Sequence, residues 1–160
     1  MVTKPPRVAT ACDDRWSAGA HWLAAVGSSP GDVLTAWANG ELAEVPTPGA
    51  WLVAEAELTA SMAALPVLAR AGKLGPLLGG IDAGLAWWLV PPDADAHLGD
   101  LAPRVGLRGL GWVLRCPAPG DYGHGRGWLH RPDGTGRLTC PMALGALLSG
   151  RAHFSGPVPS

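Results

Sequence analysis

Several residue types are scarce or missing from the 160-residue chain, which contains no Gln and only one residue each of Ile, Phe, Tyr and Asn. Charge is also sparse: 12 Lys and Arg nearly balance 13 Asp and Glu, for a net charge of −1. This balance excludes the high net charge of disordered chains and of globally basic nucleic-acid binders.

Long apolar runs and targeting signals are lacking as well. The longest apolar runs, such as residues 85–92, are far shorter than the ~20 residues that a membrane helix needs. Residues 1–10 are polar and interrupted by Pro, unlike a signal peptide. We therefore expect a cytoplasmic protein with no membrane association.

Cysteine is rare, and its three positions (Cys12, Cys116 and Cys140) are widely spaced, so a disulfide framework is not predicted. Cys116, His124, His130 and Cys140 fall within 25 residues, but their spacing matches no zinc template. We therefore predict no bound metal and no cofactor.

Gly, Pro and Trp are abundant: the chain has 23 Gly, 16 Pro and 8 Trp, and 48% of its residues are hydrophobic. Gly and Pro together approach the share typical of low-complexity chains, but the apolar content and the Trp indicate a folded core. We predict that most Trp side chains fill this core. The expected organisation is a flexible arm over 1–14, one domain over 15–153 and a flexible tail over 154–160.

The apolar periodicity predicts alternating helices and strands. Helices are predicted over 15–26, 32–39, 59–71, 93–105 and 141–148, and strands over 50–58, 74–78, 84–90, 111–116 and 127–131. Residues 40–49, which include two Pro, are interpreted as a loop. The order indicates an α+β fold with a single mixed or antiparallel sheet and helices packed on it.

The balanced total charge conceals a division along the chain. Residues 1–100 contain 5 Lys and Arg and 11 Asp and Glu, for a net of −6, whereas residues 101–160 contain 7 Arg and 2 Asp, for a net of +5. The division indicates either a basic binding face on the C-terminal part or electrostatic attraction between the two parts of one fold.

Two segments have compositions that could support chemistry. Glu55 and Glu57 are two residues apart on a predicted strand, so both side chains leave the same face, as acidic ligands do in two-metal sites. The alternative is a solvated strand end followed by a helix N-terminus. Residues 120–127 are rich in Gly but lack the Walker spacing, which favours a surface loop in which His124 and Arg126 could still contact an anion.

A longer pattern runs from about Ala20 to Leu148. Its pieces, in order, are Trp22-Leu-Ala24 with Pro30 and Trp37, Trp51-Leu-Val-Ala-Glu55, Leu65 with Leu68 and Gly72, Gly75-Pro-Leu77, Gly84-Leu-Ala-Trp-Trp-Leu-Val-Pro91, Arg115-Cys116 with Pro119-Gly-Asp-Tyr122, Gly127-Trp-Leu-His-Arg-Pro132, and Leu138 with Pro141 and Leu144. This order and spacing resemble the small, divergent actinobacterial relatives of the bifunctional DNA primase/polymerase N-terminal domain, in the archaeo-eukaryotic primase superfamily.

The resemblance implies a primase/polymerase-like fold in which the catalytic positions are empty. The acidic pair of the family corresponds to Leu52-Val-Ala54, and its Gly-x-His corresponds to the neighbourhood of Gly84-Leu-Ala86, which has no His. The third acid would fall at Val113, which is apolar. Because phosphoryl transfer depends on the placement of metal and charge, these replacements should abolish polymerisation.

Three functions follow as hypotheses. The first is a catalytically degenerate module that binds single-stranded nucleic acid or a nucleotide, and its predicted contacts are Arg104, Arg108, Arg115, Arg126, Arg131 and His124. The second is an active nucleotidyltransferase that uses Glu55, Glu57 and Asp121 with Mg²⁺ or Mn²⁺. The third is a protein–protein interaction domain that uses a Trp-rich surface or the tail 154–160.

Overall fold

A computed structural model of the chain describes residues 11–27 and 29–149, which contain five helices and eight strands. The helices are α1 (Ala11–Ala24), α2 (Pro30–Ala38), α3 (Leu58–Arg70), α4 (Asp95–Leu98) and α5 (Pro141–Leu148). The strands are β1 (Ala43–Pro46), β2 (Leu52–Glu57), β3 (Leu77–Gly80), β4 (Leu85–Val90), β5 (Gly106–Arg108), β6 (Val113–Cys116), β7 (Tyr122–Gly123) and β8 (Arg126–His130).

The strands form two antiparallel sheets. Six strands pair in the order β5-β2-β4-β3-β8-β7, and β1 pairs only with β6. The predicted α+β class is confirmed, but the expected single sheet is wrong. β1 lies within the segment interpreted as a loop, and its pairing with β6 joins residues about 70 positions apart, which no local pattern reveals.

The six-stranded sheet is covered on both faces. We call the face that carries Val53, Leu78 and Trp87 the front face, and it packs against α1, α2 and the β1–β6 pair. The back face, with Ala54 and Trp88, packs against α3, α4 and α5. Because side chains alternate along a strand, adjacent Trp residues on β4 enter two different cores.

The Trp side chains that the structure describes belong to these cores, as predicted. Trp37, Trp51, Trp87 and Trp88 are buried, and Trp22, Trp112 and Trp128 are partly buried against the front core. Trp88 also ties α3 to the sheet, because its Nε1–H donates a 2.9 Å hydrogen bond to the buried hydroxyl of Ser61.

Several boundaries differ from the sequence predictions. The helix predicted over 93–105 is instead two short 3₁₀ segments (Pro92–Ala94 and Gly99–Leu101) that flank the single-turn α4. Pro103 explains the early end, since it lacks an N–H and disfavours helical backbone at the preceding residue. The chain then enters β5, which was not predicted.

The termini of the predicted domain are only partly described. α1 begins at Ala11 and so includes the last four residues of the predicted arm. The predicted tail, 154–160, lies outside the described residues. Within the described ranges, no helix is long and apolar enough to cross a bilayer.

Candidate nucleic-acid interface

Glu55 lies at the centre of a polar cluster on the front face. Its partner across the β2–β4 ladder is Trp87, whose indole Nε1–H donates a 3.1 Å hydrogen bond to Glu55 Oε1. Arg108 Nη2 lies 3.4 Å from Glu55 Oε2 and forms an ion pair with it. The Glu55 side chain is 21% exposed, so both carboxylate oxygens are used in a largely desolvated position.

Arg126 contacts the same Trp from β8. Its guanidinium carbon is 4.2 Å from the centroid of the Trp87 ring, within the range of a cation–π interaction. Its Nη1 donates a hydrogen bond to the backbone carbonyl of Arg115. Gly80 also adjoins the Trp87 ring, and a Cβ there would come within 2.7 Å of ring carbons.

Arg115 extends the cluster onto the two-stranded sheet. Arg115 Nη2 and Glu44 Oε2 are 3.4 Å apart, but both side chains are more than 60% exposed, so this ion pair contributes little. Arg108 also lies 5.9 Å from the ring centroid of the partly buried Trp112. We call Arg108, Arg115 and Arg126, together with Trp87 and Trp112, the arginine face.

The electrostatic environment of Arg126 favours an anion. Burial lowers the pKa of Arg126, the neighbouring charge of Arg115 lowers it further, and Cys116 and Glu55 act in the opposite direction. Among residues 11–27 and 29–149, Arg126 has no carboxylate partner within ion-pair distance. A negative ligand beside Arg126 would therefore offset both desolvation and repulsion.

The five predicted arginines do not share one site. Arg108, Arg115 and Arg126 converge on the arginine face. Arg104 lines a separate hollow near the end of α5, and Arg131 lines a groove that reaches the back face. The structure thus brings together three of the five candidate phosphate contacts and places Arg104 and Arg131 elsewhere.

His124 occupies a turn rather than the arginine face. It and Gly125 join β7 to β8, and both have positive φ values, 54° and 78°. Positive φ at both central residues is the signature of a two-residue type I′ hairpin, in which His is tolerated. Residues 120–127, interpreted as a surface loop, instead contain β7, this two-residue turn and the first two residues of β8.

The three acids proposed for catalysis are not brought together. Glu55 and Glu57 project from the same face of β2, as the alternation predicts. Asp121 precedes β7, which is separated from β2 by four strand spacings of ~4.8 Å, or roughly 19 Å. No group of three or more His, Cys, Asp or Glu side chains in the described part of the chain is arranged to hold a metal ion.

Sequence reasoning missed the aromatic members of the site and the role of Glu55 as their partner. Trp87 was assigned to the core, where its ring does lie, but its N–H and its outer surface face charged groups. The sequence carried part of this information, because Glu55 directly follows the apolar residues of a predicted strand. The register that places Glu55 opposite Trp87 requires the sheet.

No known protein-family model, curated protein or solved structure matches the chain. The resemblance to primase/polymerase domains therefore rests on the residue pattern alone.

Proposed function

We propose that the domain is a catalytically degenerate, primase/polymerase-like module that binds single-stranded nucleic acid or a nucleotide through the arginine face. The observation that carries this proposal is the position of Arg126. Its guanidinium lies against Trp87 and beside Arg115 without a carboxylate partner in the described chain.

Phosphate is the anion that suits this arrangement. Arg presents several N–H donors in a planar fork, and phosphate groups accept from that fork with two oxygens. The side chain of Arg115 is engaged by an exposed 3.4 Å ion pair with Glu44, which a phosphate could replace. Trp112, partly buried beside Arg108, offers a ring on which a base could stack.

The same geometry supports binding without nucleotidyl transfer. Both oxygens of Glu55 already accept from Trp87 and Arg108, so this carboxylate is not free to ligate a metal. The third acid of the hypothesised set, Asp121, lies at the far edge of the sheet. Phosphoryl transfer without converging acids would lack its main source of charge stabilisation.

Fluorescence anisotropy with a labelled single-stranded oligonucleotide tests the proposal. We expect weak binding that falls steeply with salt, since each phosphate contact on a single strand adds about 0.7 to the slope of log K against log salt. The Arg126→Ala variant should bind less tightly, with a slope smaller by about 0.7. Competition by a mononucleotide distinguishes the two ligand classes.

Arg70→Ala is the matched control. Arg70 is exposed in the last turn of α3, on the opposite side of the sheet, so the variant loses the same charge from a remote position. It should bind like the unmodified protein. The proposal fails if nothing binds at low salt, or if Arg126→Ala and Arg115→Ala together change nothing. Incorporation in a primer-extension assay with Mg²⁺ or Mn²⁺ would refute the loss of catalysis.

A further inference from the structure

An apolar groove lies on the opposite side of the sheet from the arginine face, between the first turns of α3 and strands β7 and β8. Its volume is about 580 Å³, within the range of ligand-binding sites. Four large apolar side chains that border it are exposed: Met62, Ile81, Tyr122 and Leu129. A concentration of exposed apolar side chains in one groove is typical of an interaction surface.

Two paired glycines form the floor of the groove. Gly79 and Gly127 lie opposite each other in the β3–β8 ladder. A Cβ on Gly79 would come within 3.1 Å of the Leu129 side chain, and a Cβ on Gly127 would come within 2.6 Å of the Tyr122 ring. The absence of side chains at these two positions leaves room for the Leu129 side chain and the Tyr122 ring against the backbone.

The adjoining edge of β8 has no paired strand, among those described, over its last three residues. β7 pairs only with Arg126 and Gly127, and none of the described strands pairs with this side of β8 over residues 128–130. The chain before β7 contains Pro117 and Pro119, which have no N–H to continue the ladder. An extended peptide can therefore form backbone hydrogen bonds beside the groove.

The charged residues at the groove indicate which charges a bound peptide would carry and in what order. Arg131 follows the C-terminal end of β8, and Asp121 lies nearer to β7. Neither forms an ion pair with another described residue. A strand antiparallel to β8 would begin near Arg131 and end near Asp121, so complementarity calls for an acidic residue first and a basic residue last.

We propose that this groove binds an extended peptide segment of a partner protein, which adds as an antiparallel strand to β8. Apolar side chains of the peptide occupy the space between Met62 and Leu129. An acidic residue precedes these apolar side chains and a basic residue follows them. This site is separate from the arginine face, so the failure of either proposal leaves the other standing.

Selection of a phage-displayed random dodecapeptide library on the folded domain tests the proposal. We expect enriched sequences with alternating apolar residues, an acidic residue toward the N-terminus and a basic residue toward the C-terminus. Methylation of alternate backbone nitrogens in a selected peptide should weaken binding at least tenfold, because it removes strand hydrogen bonds. Hydrogen exchange at residues 128–130 should slow when the peptide is bound.

Two methionine variants compare the same substitution inside and outside the groove. Met62 is 53% exposed on α3 in the groove, and Met142 is 63% exposed on α5 outside its lining. Met62→Glu should weaken peptide binding at least tenfold while oligonucleotide binding is unchanged, and Met142→Glu should alter neither. Leu129→Ala, which adds no charge, should also weaken the binding of the peptide.

Three outcomes would overturn the proposal. The first is that no sequence is enriched, and the second is that selected peptides bind Met62→Glu as tightly as the unmodified protein. The third is a dimer of the unmodified chain in analytical ultracentrifugation that Met62→Glu dissociates, which would make a second copy the occupant of the groove.

Discussion

Gly80 provides a test of how the front core supports the arginine face. An alanine Cβ at this position would lie 2.6 and 2.7 Å from Cζ3 and Cη2 of the Trp87 ring. Comfortable carbon–carbon contacts are ~3.5–4.0 Å, so the ring would have to retreat by about 1 Å. Trp87 is only 3% exposed and has Arg126 against it, which leaves little room for that movement.

We expect Gly80→Ala to destabilise the protein, whereas Gly→Ala inside a strand usually stabilises it. Gly→Ala inside a strand normally stabilises a protein by roughly 0.5–1 kcal/mol, because alanine loses less backbone entropy on folding. Overpacking of a buried ring typically destabilises by about 1–3 kcal/mol. We therefore expect Gly80→Ala to lower the free energy of unfolding by about 1–2 kcal/mol. Displacement of the ring should also weaken its 3.1 Å hydrogen bond to Glu55 and reduce oligonucleotide binding.

Urea unfolding followed by far-UV circular dichroism measures this effect, with an unchanged m-value showing that the compactness of the two states is preserved. Gly31→Ala is the matched control, since no atom lies within 4 Å of a Cβ there and its φ is not positive. It should be neutral or slightly stabilising. A Gly80→Ala protein as stable as the unmodified one would refute the reasoning that the Trp87 ring has no space to move.

Three further predictions concern a thiol, a carboxyl and a turn. Burial raises the pKa of Cys116 from 9.0 to about 12, so the unfolded chain releases this proton at lower pH than the folded one. The associated stability is complete below pH 9 and is lost as the pH rises towards 12, at up to about 1.4 kcal/mol per pH unit; Cys116→Ala should flatten the pH dependence in urea titrations. The side-chain and backbone hydrogen bonds of Thr135 lower the pKa of Asp133, and Thr135→Val should raise that pKa towards its ordinary value in an NMR titration, whereas no change would contradict the assignment. His124 has a φ of 54°, so His124→Asn should preserve thermal stability and His124→Val should lower it by about 1–2 kcal/mol; equal melting temperatures would argue against the type I′ turn.

The positions of the long elements could be predicted from the sequence because their signals are local. The strand over 84–90 corresponds closely to β4, and the helix over 141–148 coincides with α5. β5 and β7 are three and two residues long and could not be predicted, since strands that short have too few residues to show alternation. β1 was missed because it lies in a segment whose two Pro favoured a loop. Only the β1–β6 register reveals that Glu44 and Arg115 are neighbours.

The candidate sites were predictable only in composition. The excess of arginine in residues 101–160 identified three members of the arginine face, but the same excess included Arg104 and Arg131, which lie elsewhere. Arg108, Arg115 and Arg126 lie on β5, β6 and β8. They meet because β6, paired with β1, packs on the front face of the six-stranded sheet, in which β5 and β8 lie on either side of β2, β4 and β3. A charge count along the chain contains no information about such crossings.

The sequence by itself determined the α+β class and the burial of most Trp side chains that the structure describes, because these depend on composition and on the period of nearby residues. Only the tertiary structure decided that Glu55 binds Trp87 and Arg108, that Asp121 lies far from both glutamates, and that an apolar groove opens beside β8. Those outcomes depend on strand order and register, which are set by pairing between distant segments.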